Sequence, residues 1–167
     1  KIPYVQSAAV GIWVKAGSAD ENDTNNGISH YIEHMLFKGT ENRTAKQIAE
    51  EVDRIGGNIN AFTGKEATCY YIKTLDSNLE KACDILIDMF LNSQFDETEL
   101  DKERMVILEE MKMTEDTPDD LVHDLLQTAQ FGEQSPAQPI LGPAEQIKTY
   151  TRDDLLAFRK KHYAPKE

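Results

Sequence analysis

Apolar and polar positions alternate in three short stretches of the chain and repeat with helical spacing through most of the rest. Ala8-Ala9-Val10-Gly11-Ile12-Trp13-Val14-Lys15 is a largely apolar run closed by Gly17, the pattern of a strand. A polar loop follows, from Asp20 to Asn26. A helix is expected from about Gly27 to Phe37, with Asn25 or Asn26 as its N-cap and Gly39 as its stop. Thr44 and Gln47 form a capping box before a helix whose apolar stripe is Ile48, Val52 and Ile55, ended by Gly56-Gly57. Asn58 to Thr63 and Ala67 to Leu75 are expected as strands joined by a turn at Gly64-Lys65, the second rich in β-branched and aromatic residues.

The remainder is helical. Ser77 and Glu80 suggest a second capping box, before a helix burying Leu79, Cys83, Leu86 and Phe90. Asp96 and Glu99 open a longer one reaching about Thr114. Thr117-Pro118 starts a further helix with proline in its first turn, and Leu121, Leu125 and Ala129 are expected to face inward. After the loop from Phe131 to Pro143 comes a short helical turn, then a final helix capped by Thr151 with Asp154 three residues on. Strands bunched as a hairpin among many helices predict an α+β fold, an antiparallel sheet covered by helices, and not a doubly wound parallel sheet.

Composition narrows the partners. The 167 residues suffice for one domain, 1–167, with its own core. Thirty acidic against eighteen basic residues give a formal charge of −12, a field that repels phosphate backbones and favours neutral or cationic ligands. No nucleic acid is expected. No apolar run approaches the eighteen or so residues of a membrane span. Lys1 to Lys15 lacks the features of a signal peptide, and Cys69 and Cys83 read as small buried hydrophobes in a reducing compartment, so a cytoplasmic location is expected. The start at Lys1 and the stop at Pro165-Lys166-Glu167 suggest a portion of a longer protein.

The chemistry lies in His30-Tyr31-Ile32-Glu33-His34. Residues four apart on a helix differ by about 40° around its axis, so His30 and His34 can point both rings at one ion. Glu33, on the adjoining flank, can act as a general base without becoming a ligand. This is the order H-x-x-E-H. Two imidazoles and a carboxylate suit zinc in a site that keeps one position open. The best third ligand is Glu110; Glu103, seven residues earlier on nearly the same face, is placed to orient a histidine from behind. Glu109 points about 100° away, toward the surface. His123 and His162 have no partner histidine at ligand spacing and read as ordinary surface or internally satisfied residues.

The run Asn26-Gly27-Ile28-Ser29-His30-Tyr31-Ile32-Glu33-His34-Met35-Leu36-Phe37-Lys38-Gly39-Thr40 resembles the signature of the pitrilysin/insulinase zinc peptidases. The similarity is to bacterial processing-protease-like members, related to the β subunit of mitochondrial processing peptidase. It continues through Ile55 to Thr63, Lys102-Glu103-Arg104, Val106 to Glu110 and Pro139-Ile140-Leu141-Gly142. The resemblance implies a zinc endopeptidase acting on extended peptide, with ligands His30, His34 and Glu110, base Glu33 and supporting carboxylate Glu103. It also implies that Asn60, Ala61, Phe62 and Thr63, by spacing alone an ordinary strand, form an edge that takes peptide by strand addition.

Such enzymes are built from two homologous halves that close around the substrate, the later half supplying Arg and Tyr residues. The partners implied are therefore a peptide and a C-terminal homologous half, with a homodimer an open alternative. This chain has Ser135-Pro136-Ala137-Gln138 where the family usually shows His-Pro-Leu-Gly. Two other readings share the motif or the fold. An S-ribosylhomocysteine lyase-like enzyme would need a cysteine ligand, and a non-catalytic structural subunit would typically have lost the motif.

Overall fold

A computed structural model describes residues 4–132 and 134–164. Lys1 and Pro165-Lys166-Glu167, on which the expectation of a cut chain rests, lie outside the described residues. Three strands form one antiparallel sheet in the order β1-β3-β2: β1 (Ser7–Val14), β2 (Asn58–Thr63) and β3 (Thr68–Leu75). Seven helices accompany it among the described residues: α1 (Ile28–Leu36), α2 (Ala45–Arg54), α3 (Leu79–Asn92), α4 (Glu97–Glu115), α5 (Pro118–Phe131), α6 (Ala144–Ile147) and α7 (Arg152–His162). The α+β arrangement expected from the pattern is the one observed. None of these helices is long and apolar enough to cross a membrane.

The hairpin β2–β3 pairs Ile59 with Ile72 and Ala61 with Tyr70, while β1 pairs Val10 with Ile72 and Ile12 with Tyr70 across the other side. Because strand side chains alternate, these six share one face, and the helices cover it. Tyr70 and Ile72 are fully buried there with Tyr31, Ile32, Met35, Ile85, Leu86, Met89 and Ile107. Each such side chain contributes about 1.5–3 kcal/mol through the water it leaves. The opposite face carries Trp13, Phe62 and Lys73, all exposed. With β3 in the middle, β2 has a free edge among the described strands.

Two polar devices fix the helices around the sheet. The buried hydroxyl of Tyr31 donates to the Leu100 carbonyl at 2.6 Å, which sets the register of α1 against α4. Asp88, buried on α3, accepts from Thr40, Asn42, Arg43 and Asn92 at 2.6–2.8 Å. Burial alone would raise its pKa, but these donors outweigh it and hold the carboxyl well below the usual range.

Four local expectations are corrected. Helix α1 is not capped by Asn25 or Asn26: its N-cap is Gly27 at φ +91°, and the cap comes from Glu21. Ser77 and Glu80 form no capping box, because a 3-10 turn over Asp76–Asn78 intervenes and α3 starts at Leu79. The buried stripe of α3 is Ala82, Ile85, Leu86 and Met89, and it leaves Leu79, Cys83 and Phe90 only half-buried. Finally, α5 buries no residue. Leu125 is 59% exposed, Ala129 is exposed and Leu121 only half-buried, because among the described residues α5 packs chiefly on α4 and on the 3-10 turn Ser135–Ala137. The boxes at Thr44 and Thr151, the Asp96 cap and the proline start at Pro118 all form.

Candidate metal centre

His30 and His34 stand one turn apart on α1 and turn their rings toward α4, with centroids 4.6 Å apart. Glu110 of α4 comes between them. One of its carboxylate oxygens lies 3.8 Å from His30 Nε2 and 3.6 Å from His34 Nε2. Glu103, two turns earlier on α4, meets the other side of His34: its Oε2 is 3.0 Å from Nδ1. Its second oxygen pairs with Lys38 at 2.5 Å. Glu109 is exposed and paired with Lys112, away from the histidines.

One ligand atom from each of His30, His34 and Glu110 falls within 4.8 Å of the others. That fits the approach of three donors to a single ion at about 2.0–2.2 Å each, and the donor set of two imidazoles and a carboxylate suits zinc. Glu103 completes a carboxylate–histidine pair behind it. The cysteine ligand of the lyase alternative has no counterpart: neither Cys69 nor Cys83 belongs to the cluster. Cys69 is buried in β3, and Cys83 is half-buried on α3.

The electrostatics prepare the donors unequally. Burial, reinforced by His34, pushes His30 down to about 4, so its ring is neutral and ready to coordinate. Burial pulls His34 the same way, but contact with Glu110 and Glu103 overrides it, and its pKa is raised. Glu110 is held ionised chiefly by its contact with His34, with His30 adding to the effect.

Glu33 faces the same cleft from the flank of α1. Burial raises its pKa, and a hydrogen bond from the Thr63 hydroxyl opposes the rise. The cleft has a volume of about 440 Å³. His30, Glu33 and Glu110 line its floor, Ala61, Phe62 and Thr63 of the free-edged strand one wall, and α5 the other. Thus the residues expected from the motif and the strand expected to take peptide meet in one place. Asn60 is absent from the lining, as are His34 and Glu103, and its carboxamide accepts from the Ala61 N–H at 2.8 Å.

Three cleft-lining residues lie outside the set expected from the motif. Asp120, His123 and Asp124 of α5 line the cleft opposite β2, although His123 read as an ordinary surface histidine. Their spacing of three and four does mark one helical face, which is the signal available in the chain. Glu21 supports α1 from a loop. His162 stacks on Phe158 at 4.3 Å on α7 and is not among the cleft-lining residues.

Comparison with known proteins identifies the family. The family model "Insulinase (Peptidase family M16)" matches residues 1–144. An uncharacterized zinc protease of Bacillus subtilis (strain 168) is 52% identical over 163 residues, 98% of this chain and 40% of that protein. A probable mitochondrial-processing peptidase subunit beta of Arabidopsis thaliana is 46% identical over 158 residues, 95% of this chain and 30% of that protein. The crystal structure of a protease from Helicobacter pylori superposes with a TM-score of 0.90 at 28% identity, covering 95% of this chain and 39% of that one. The chain thus spans about two-fifths or less of the length of these relatives. With most of its length matched by the family model and half its residues shared with a zinc protease, the chain belongs to the insulinase (M16) peptidase family.

Proposed function

We propose that this chain carries the metal centre of a zinc endopeptidase, with His30, His34 and Glu110 as ligands and Glu33 as general base. The observation that carries the reading is the convergence of three ligand atoms within 4.8 Å, beside a buried carboxylate, in a cleft walled by a free strand edge. Zinc, when bound, supplies a Lewis acid that polarises a carbonyl and lowers the pKa of water to about 7.

The chain's own residues do the rest. Glu33, with its pKa raised by burial, accepts the proton of the attacking water and hands it to the leaving amine. Thr63 holds that carboxylate in place through its hydroxyl. Glu103 accepts from His34 Nδ1, which leaves Nε2 as the ligand atom. The edge of β2 pairs with an extended peptide, whose backbone bonds replace the Asn60–Ala61 contact. Asp120 and Asp124 across the cleft favour a cationic side chain near the scissile bond, in keeping with the net charge of −12. A second homologous half of the longer enzyme completes the grip on the peptide.

The test uses the full-length protein. Zinc-loaded protein should cleave an unfolded peptide carrying lysine and arginine faster than its neutral counterpart. A chelator should stop the reaction and added zinc restore it, with fragments followed by mass spectrometry. Zinc-loaded protein that leaves both peptides intact would show the reading to be wrong.

A further inference from the structure

We infer that Glu21 is a positioning residue for the metal centre, holding His30 in place through the backbone of α1. This rests on His30 being a ligand. The two histidines are supported differently. Nδ1 of His34 is bonded to Glu103, whereas Nδ1 of His30 is buried and has no hydrogen-bond partner among the described residues. Among the described residues no side chain hydrogen-bonds the His30 ring at Nδ1, so its place depends on the peptide that carries it.

That peptide lies in the first turn of α1, where the backbone N–H groups have no intrahelical acceptor. The N-cap is Gly27, which has no side chain to accept from them. Glu21, six to eight residues upstream, takes over. Its Oε2 accepts from the Gly27 N–H at 2.7 Å and from Asn26 Nδ2 at 2.9 Å, and its Oε1 accepts from the Ser29 N–H at 2.8 Å. The bond to Ser29 clamps the residue directly before His30. Glu21 is 5% exposed, too deep for water to substitute for its carboxylate.

The same anchor reaches the cleft wall. Asn26 Nδ2 also donates to the Pro139 carbonyl at 2.8 Å, and Ile140 and Leu141 line the cleft. One buried carboxylate therefore joins the start of the ligand helix to the segment beside the metal centre.

The experiment measures zinc affinity of the full-length protein by competition with a chromophoric chelator, together with the unfolding temperature of the metal-free form. Glu21→Gln replaces one acceptor oxygen with a donor. It should weaken zinc binding about tenfold or more, the scale of a lost supporting carboxylate. Glu21→Asp keeps the charge on a shorter arm and should lie between Glu21→Gln and the native protein. Asp88→Asn loosens a buried network with Thr40, Asn42, Arg43 and Asn92, none of which belongs to the metal cluster or lines the cleft; it should lower the unfolding temperature and leave zinc affinity unchanged. Native affinity in Glu21→Gln, or an equal loss in Asp88→Asn, overturns the inference. If Glu21→Gln does not fold, Glu21→Asp decides: native affinity there overturns it. A native protein that takes up no zinc overturns the metal centre itself, and is told apart by needing no variant.

Discussion

The hydroxyl of Thr63 donates to the carboxylate of Glu33, so the last residue of the free-edged strand is bonded to the helix carrying both histidines. On the proposed function, that hydroxyl serves Glu33 as base and not the substrate. Thr63→Val keeps the shape and removes the donor. A lost hydrogen bond to a charged group is worth about 1.5–3 kcal/mol, so kcat should fall at least about tenfold while KM for an extended peptide stays put. Thr63→Ser should recover most of the loss. A rise in KM alone would place the hydroxyl on the substrate instead.

Glu33→Gln should abolish proton transfer and leave metal binding intact. General-base catalysis is worth about 10²–10⁴-fold, and at least that much of kcat should disappear. Zinc content by elemental analysis should match that of the native protein. A variant that loses its metal would make Glu33 a ligand.

Replacing His30, His34 or Glu110 with alanine should remove zinc at stoichiometric loading. Glu103→Gln should retain it with affinity weakened about 10–100-fold, because His34 loses its orienting partner and Lys38 its counter-charge. Equal loss in all four would put Glu103 on the metal.

Zinc binding should depend on pH through His34. Its pKa is raised, so a proton must leave before Nε2 can coordinate, and affinity should drop about tenfold for each unit of pH below that value. His30, depressed to about 4, adds no proton cost until the solution is that acidic. In the metal-free protein the two act oppositely. Between about 6.5 and 4 the unfolded chain binds more protons at His30, so its effect on stability rises with pH. Stability from protonated His34 is fully present below 6.5 and is lost as pH rises through its raised value. Chelator-competition titrations and thermal melts in chelator, compared with His34→Asn, check both signs.

Gly142→Ala should destabilise the protein although the side chain added is one methyl. The residue sits at φ +70°, and a Cβ there would come 2.3 Å from the Asn26 carbonyl oxygen. Conformational strain alone costs about 1–3 kcal/mol, with the clash in addition. A melt showing no loss would mean that the Pro139–Gly142 segment can move off α1.

Much of this is legible in the chain alone, and the exceptions share a cause. The three strands, the ligand helix and the Glu103/Glu110 face follow from spacing within single elements, which a linear chain displays. Glu21 does not: it caps α1 across a loop whose course depends on tertiary packing, and Asn25 and Asn26 offered a nearer answer. The stripe of α3 shifted because polar Asp88 is buried beside Met89, the reverse of what an apolar pattern assumes. His123 reached the cleft only because α5 folds back beside the metal centre. Leu125 faces outward because inward requires a neighbour, and periodicity alone does not supply one.

That outward face has a further consequence. The ligand helix is built into the core and β2 packs half-buried Ile59 and Ala61 against it, whereas α5, which lines the cleft, buries nothing of its own. An element without buried anchors opens at small free-energy cost, so amide hydrogens of 118–131 should exchange well before those of 28–36. The cleft has one stiff jaw and one compliant jaw, and the compliant one holds Asp120 and Asp124. On the proposed function, charge selection would fall to the part that can yield to side chains of different length, and the chemistry to the part that cannot.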